Sequence, residues 1–463
     1  MKTTKKEMFL FSGWDRSGLE EHLARMAEKG WLVEKITSYC LIYRKIEPKK
    51  LTFCVCYYPK ASSFAPGPTE DQETFYEFCQ HAGWVLAAEW AQLQMFYNER
   101  ENPVPIETDP VMELETIHKT MKRSGLPAQM MLAALALVQG GLLISSFRRD
   151  PVEVLASSSH LVSGICWILL LVLTGTESIA YYRWRARAMK AAERGEFLPT
   201  KSRVGLQKVV LGIAGIALLY YILSVFTSGD RMMMTVMPLM FLWIGLLFVL
   251  VNAIRKGLKR KKVSTNVNRV MTIGSAFVLA YAMVGVIIFG VLYAGSHGWF
   301  AGDQGTYQYH GTVFTIYDDE LPLTVEDLLD VGGADYTREW RDNASLLLAQ
   351  YTARQRPRFD AADYINMPCL DYTVTLVKLP ALYDMCKNAL LAEYDGSDEY
   401  WRDRAYAPID AALWGALEAY RVMDSEYGPW DIYLLCYPDR FIEFSPDWEL
   451  TPEQMALVGE KLG

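Results

Sequence analysis

Between residues 129 and 295 the chain carries five long apolar runs, and nothing else in it restricts the fold as strongly. The runs cover residues 129–147, 160–182, 204–227, 232–254 and 270–295. A helix needs about 20 mostly apolar residues to cross roughly 30 Å of hydrocarbon. Each run is long enough and keeps charge out of its central turns. None shows the polar stripe of a helix half-exposed to water. The runs therefore predict an all-α transmembrane bundle (residues 129–295) flanked by α+β soluble domains, one at each end.

The loops between the runs alternate in charge. Seven Lys and Arg lie between Arg183 and Arg203, and seven more between Arg255 and Arg269. Lys119, Lys122 and Arg123 precede the first run, whereas the remaining two loops offer only Arg148, Arg149 and Arg231. Basic residues concentrate in cytoplasmic loops. Five crossings then predict a multi-pass plasma-membrane protein with its N-terminus cytoplasmic and its C-terminus outside.

The formal net charge of -8 hides a polarity. Residues 296–463 hold 30 acidic and 12 basic side chains, and the rest of the chain 24 and 34. The basic residues suit the anionic inner leaflet of a lipid bilayer, and no nucleic-acid partner is expected.

Within the spans the polar residues to weigh are Gln139, His160, Glu177 and Asn252. Glu177 lies near the basic edge and His160 near the opposite one, so interfacial placement is expected of both. Gly212 and Gly215, with Ala214 and Ala217, form a small-residue face suited to close helix packing.

The cytoplasmic domain, residues 1–100, contains a duplication. LEEHLARMAEKGWLVEKITSYCLIYRK, from Leu19, aligns with QETFYEFCQHAGWVLAAEWAQLQMFYN, from Gln72. In both copies a helical pattern stops at a glycine (Gly30, Gly83), which closes a helix without steric cost. A tryptophan follows at once (Trp31, Trp84), and then residues that alternate like two strands. A strand precedes each copy, over residues 8–12 and 51–58. The duplicated unit is thus strand-helix-strand-strand, giving about six strands with two helices on one face. Trp31 and Trp84 read as core anchors. The alternative makes them walls of a groove between the halves, a ligand-binding site for a small apolar molecule of unknown identity.

The LE-x-x-L-x-x-M-A-x-x-G-W pattern from Leu19 to Trp31, with Phe9, Phe11 and the second Gly83-Trp84, resembles the domain of unknown function 2812. The resemblance implies a bacterial membrane protein of no established activity, since such domains occur in Gram-positive bacteria joined to membrane-spanning regions. The layout is also similar to small-molecule sensor domains of the GyrI-like type, a likeness of fold that assigns no ligand. No cleavable signal peptide is expected, because no apolar run follows the basic residues 1–7.

Residues 101–128 change character. Asn102-Pro103 and Pro105 break the last strand, and Thr108 or Asp109 can cap a linker helix opening at Pro110. Met112, Ile117 and Met121 suit the membrane surface or a partner helix.

The acidic extracytoplasmic domain, residues 296–463, alternates strands and helices. Extended chain is expected over 306–317 and 371–379, a capping box at Thr324 and Asp327, and helices over 380–394, 408–420 and from Pro452. A hairpin is expected over 432–444, around Pro438-Asp439. Cys369, Cys386 and Cys436 permit at most one internal disulfide, and Cys54 and Cys56 fit neither a zinc nor a redox motif. All read as small core residues. The acidic runs Asp318-Asp319-Glu320 and Glu393, Asp395, Asp398, Glu399 lack EF-hand spacing and read as solvated turns. Of the domain's aromatic residues, Tyr307, Tyr309, Trp340, Trp401, Trp414, Trp430 and Trp448, most read as core, the alternative being an outer patch that receives a peptide or glycan.

No phosphate-binding glycine loop, nucleophile elbow or metal-binding histidine pair occurs, so neither a cofactor nor an enzyme is expected. The leading functional reading is a sensor or signal-transmitting regulatory protein with a protein partner on the cytoplasmic side. The alternatives are a transporter-associated or envelope-complex scaffold subunit, or a membrane enzyme without a recognisable motif.

Overall fold

The computed structural model describes residues 3–463 apart from 38, 229–230, 298, 300–303 and 395–403. Asp395, Asp398, Glu399 and Trp401, discussed above, lie outside the described residues. The chain divides into two compact units. One comprises Met1–Gly140, Cys166–Ile216 and Phe241–Met283; the other comprises Gly141–Ile165, Ala217–Met240 and Val284–Gly463.

The N-terminal part runs β1 (Thr4–Met8), α1 (Arg16–Glu28), β2 (Trp31–Ile36), β3 (Cys40–Lys45), β4 (Thr52–Tyr57), α2 (Glu70–His81), β5 (Val85–Trp90) and β6 (Leu93–Asn98). The duplication holds in detail. The sheets have equivalent orders, β1-β3-β2 and β4-β6-β5. A bulge falls between Val33 and Lys35 in one copy, and between Leu86 and Ala88 at the matching positions of the other. Gly30 and Gly83 have φ of +80° and +88°. After Gly83 the Trp84 N–H donates to the Cys79 carbonyl at 2.9 Å, a Schellman closure.

Two expectations are corrected here. The first strand starts at Thr4 rather than at residue 8, because Thr4 to Met8 pair with Arg44 to Cys40; Phe9 follows the strand. The six strands form two three-stranded sheets, and the helices do not share one face. Leu19, Leu23, Met26 and Ala27 of α1 pack on both sheets at once, against Leu41 and Tyr43 of the first and Phe53, Val55 and Met95 of the second. Helix α2 covers the opposite face of the second sheet through Cys79, against Cys56 and Phe96. Strand alternation makes this possible, since Phe53 and Val55 point one way and Cys54 and Cys56 the other.

Asp109 caps α3 (Pro110–Thr120), with Pro110 in its first turn. A π-helical segment, Met121–Gly125, joins α3 directly to α4 (Leu126–Arg149). Then come α5 (Pro151–Ala156), α6 (Ser158–Ala192), α7 (Val204–Thr227), α8 (Arg231–Arg260) and α9 (Thr265–Ser296). Among the described residues, five helical stretches are long and apolar enough to cross a membrane, and at most 22% of their apolar windows is buried inside the protein. Leu242 and Phe289 are each 71% exposed. Side chains of this kind need lipid around them, and the chain is a multi-pass membrane protein. A Cβ at Gly212 or Gly215 would meet nothing within 4 Å, so these two glycines pack against no other described residue, whereas Ala217 of the same face is buried.

The C-terminal part runs β7 (Thr306–Tyr309), β8 (Thr312–Thr315), α10 (Val325–Leu328), β9 (Tyr336–Ala344), β10 (Leu348–Pro357), β11 (Leu370–Val377), α11 (Tyr383–Leu391), β12 (Arg404–Ile409), β13 (Glu418–Asp424), β14 (Gly428–Cys436), β15 (Arg440–Pro446) and α12 (Pro452–Leu462). Seven strands form one antiparallel sheet, ordered β12-β13-β14-β15-β11-β10-β9. One face carries Trp414, Ile442 and Phe444 under α10 and α12. The other carries Leu434, Cys436 and Phe441 under α11 and α5, so the connection between the first two spans belongs to this core.

The capping boxes at Thr324 and Thr451 are formed. The helix expected over 408–420 is corrected. Pro408 lies next to last in an edge strand, Ala412–Trp414 make a single 3₁₀ turn, and Glu418 starts another strand. Proline fits an edge strand, and the apolar spacing there serves two strands about a turn that buries Trp414. Asp318 pairs with Arg338, and Asp319 accepts from the Trp340 N–H, so these acids brace β9. All eight cysteines are free thiols, four of them buried.

Candidate functional site at the N-terminal junction

The segment between β1 and α1 holds the N-terminal domain to the membrane helices. Asp15 caps α1, accepting from the Gly18 N–H at 3.1 Å and from the Thr200 hydroxyl at 2.7 Å. Ser17 and Thr200 exchange bonds: the Ser17 N–H donates to Thr200 Oγ1 at 2.9 Å, and the Thr200 N–H donates to Ser17 Oγ at 3.1 Å. Thr200 lies in the connection between α6 and α7, so this loop is bonded to a helix N-terminus whose free N–H groups need partners.

Glu177 of α6, 5% exposed, is the second anchor. It accepts from the Ser12 hydroxyl at 2.7 Å and faces Arg203 Nε at 3.8 Å. Arg203 also donates to the Thr176 carbonyl at 2.6 Å. The charge near the span's edge is therefore compensated, as a carboxylate in so dry a place requires.

An apolar cluster seals the junction. Trp14 meets Trp184 and Tyr181 of α6, and Leu114, Ile117 and Met121 of the linker pack beside them. The partner helix expected for Ile117 and Met121 is thus α6, while Met112 remains 69% exposed.

Three carboxylates gather on one guanidinium next to this cluster. Arg16 lies 3.5 Å from Glu20, 3.6 Å from Glu107 and 2.7 Å from Glu113. Glu20 also accepts from the Val55 N–H at 2.8 Å, satisfying an edge of β4. Burial pushes the carboxyls of Glu20 and Glu107 up, each to about 7, although Arg16 opposes the shift. One cation cannot hold three buried carboxylates ionised together.

A cavity of about 480 Å³ opens beside the junction. Its walls come from residues 12–15, the 57–64 loop, the β5–β6 turn, the π segment and the first turns of α9. Arg123 and Arg269 line it, with Asp15, Gln92, Thr120 and Ser124. Arg123 donates to the Pro59 carbonyl at 2.8 Å, and Arg269 lies 5.8 Å from the centre of the Phe64 ring. Asn268 Nδ2 donates to the Phe64 carbonyl at 2.8 Å and ties the loop to α9. Two local irregularities frame the cavity, the π segment and Ala91 in the turn, held at φ +51°. Irregular backbone of both kinds is over-represented at functional sites.

Trp31 and Trp84 do not converge on this cavity. Trp84 is 3% exposed in the small core under α2, with its indole N–H donating to the Val104 carbonyl at 2.8 Å. Trp31 is half-buried against the core shared by the two sheets. Sequence reasoning missed the Arg16 cluster and the pair Arg123–Arg269. The i,i+4 spacing of Arg16 and Glu20 was a readable signal; the other partners are distant in sequence and left none.

Residues 16–128 match the family described as "Protein of unknown function (DUF2812)". The match covers the duplicated unit from α1 onward, the linker helix and the π segment. Comparison of the chain with curated proteins and with solved structures gave no match. The DUF2812 segment therefore contains Arg16, all three carboxylates and Arg123. Glu177, Thr200 and Arg269, which complete the junction and the cavity, lie beyond it.

Proposed function

We propose that this protein transmits a signal across a bacterial plasma membrane, with its DUF2812 segment on the cytoplasmic side and residues 296–463 outside. The observation that supports the reading is the pairing of Ser12 with Glu177 and of Ser17 with Thr200. Through these bonds α1 and its N-terminal approach are tied to α6 and to the loop that follows it. Helix α6 is continuous from Ser158 to Ala192, and Ser158 at its other end donates to the Ala344 carbonyl at 2.7 Å. A continuous helix that carries such bonds along its length is a means of passing displacement. The concentration of Lys and Arg on one side supports the orientation. The output would pass to a protein partner on the cytoplasmic side. Few polar groups occur in the spans and Glu177 is engaged, which favours transmission over transport.

Hydrogen exchange on the full-length protein tests the reading. Val152→Ala and Val152→Asp loosen α5 within the C-terminal unit, where Val152 is 1% exposed. Faster exchange is expected in residues 12–18 and 198–203 as well as around α5. Faster exchange confined to the C-terminal unit sinks transmission.

A further inference from the structure

We propose that a second, basic cavity where α6 leaves the membrane binds an anionic phospholipid whose head group carries two phosphates. This cavity, of about 530 Å³, lies between α6 and its connection to α7. Trp14 and Trp184 form its floor, with ring centres 5.3 Å apart. Ile179, Arg183 and Arg187 line it at i,i+4 spacing along one face of α6. The connection supplies Leu198, Pro199, Lys201 and Arg203.

Charge decides the class of ligand. Arg183, Arg187 and Lys201 are exposed, so an occupant of the cavity can reach them. None of the three forms an ion pair with a carboxylate of the described residues, and no described Asp or Glu lines the cavity. Arg203 differs, since it faces Glu177 at 3.8 Å. Arg187 donates its Nε–H to the Arg183 carbonyl at 3.3 Å, which holds it over the Arg183 turn. A single phosphodiester carries one negative charge and would leave two of these three cations uncompensated. Two phosphates come closer to balance, and the forked guanidiniums suit their paired oxygens.

Position decides the source. The apolar run over residues 160–182 ends immediately before Arg183, which places the cavity at head-group level. Ile179, 53% exposed one turn earlier, offers hydrocarbon contact beneath the cations, and a soluble anion would leave it unused. Basic pockets at this level bind the head groups of multiply charged lipids. The volume accommodates such a head group, while the acyl chains continue beside α6 in the bilayer. The site depends on α6 crossing the membrane. It does not depend on signal transmission through the junction.

Native mass spectrometry of the full-length protein, released from a neutral detergent, tests the proposal. The probes are cardiolipin with two phosphodiesters, phosphatidylglycerol with one, and zwitterionic phosphatidylcholine, with inorganic diphosphate as the soluble competitor. One cardiolipin is expected to be retained, about fivefold more tightly than phosphatidylglycerol and more tightly still than phosphatidylcholine. The R183A/R187A double variant is expected to weaken cardiolipin retention about thirtyfold, the effect of two cations at the membrane surface. Pro199→Glu adds a negative charge to the exposed wall, leaves every cation in place, and is expected to weaken retention about fivefold. K190A/R194A removes two exposed cations that follow on the chain but do not line the cavity, and is expected to change retention less than twofold. Equal retention of cardiolipin and phosphatidylglycerol, or equal losses in R183A/R187A and K190A/R194A, overturns the proposal. Displacement of cardiolipin by equimolar inorganic diphosphate also overturns it, because the lipid's apolar contact would then contribute nothing.

Discussion

Glu20 and Glu107 lie beside a cation, yet burial dominates and raises both carboxyls to about 7, above the ordinary value of 4.5. The folded protein therefore binds these protons more tightly than the unfolded chain. Their contribution to stability is complete below the unfolded value and is lost as pH rises through the folded one, between about 4.5 and 7. Every tenfold gain in proton affinity on folding corresponds to about 1.4 kcal/mol. Thermal unfolding of the full-length protein in detergent is expected to fall from pH 5.5 to 8, and the Glu20→Gln/Glu107→Gln variant to fall less over the same range. A parallel response of the two proteins would refute the assignment. The tryptophans make a second residue-scale prediction. Trp84 is enclosed and hydrogen-bonded, so Trp84→Ala is expected to cost about 3–5 kcal/mol. Trp31, half-buried at the equivalent position, is expected to cost clearly less. Denaturant unfolding followed by hydrogen exchange in β5 and β2 separates them, and equal costs would contradict the difference in burial.

Helix α1 takes part in three contacts at once, with the two sheets, the Arg16 carboxylates and the α6–α7 loop. Its N-terminus offers free N–H groups, and the reciprocal Ser17–Thr200 pair satisfies one of them while anchoring the loop in return. Each such bond contributes about 0.5–1.5 kcal/mol net. A double-mutant cycle with Ser17→Ala and Thr200→Val is expected to be non-additive by about 0.5–1.5 kcal/mol, read as local opening free energy from exchange in residues 198–203. Additive losses would mean that the two side chains act separately. The π segment has a similar double role. It keeps α3 and α4 one continuous helix, while Met121 joins the apolar seal and Arg123 and Ser124 line the cavity.

At the scale of the whole chain, the basic and acidic residues are segregated about the spans, with 30 acidic against 12 basic side chains after residue 295. If the basic side is cytoplasmic, reporter fusions at residues 129 and 463 report opposite compartments, the first inside and the second outside. Both on one side would overturn the orientation and the transmission reading with it.

What the sequence settled by itself was local or additive. Span lengths follow from summed hydrophobicity, the caps at Thr324 and Thr451 from side chains within three residues, and the duplication from matched Gly-Trp pairs. The helix misread over 408–420 marks the limit, since apolar spacing around a buried Trp414 fits a helix and a strand–turn–strand equally well. The tertiary structure alone decided which faces meet. Helix α1 bridges both sheets because the alternating faces of β4 divide the second sheet between α1 and α2. Trp84 is enclosed among Cys79 and Phe96, where the chain after the second copy brings Ile106 against the cluster and the Val104 carbonyl to the indole N–H, whereas Trp31 stays half-buried. Glu177 bonds Ser12 across 165 residues. Such pairings depend on long-range packing, where a one-residue change of register redirects every side chain that follows.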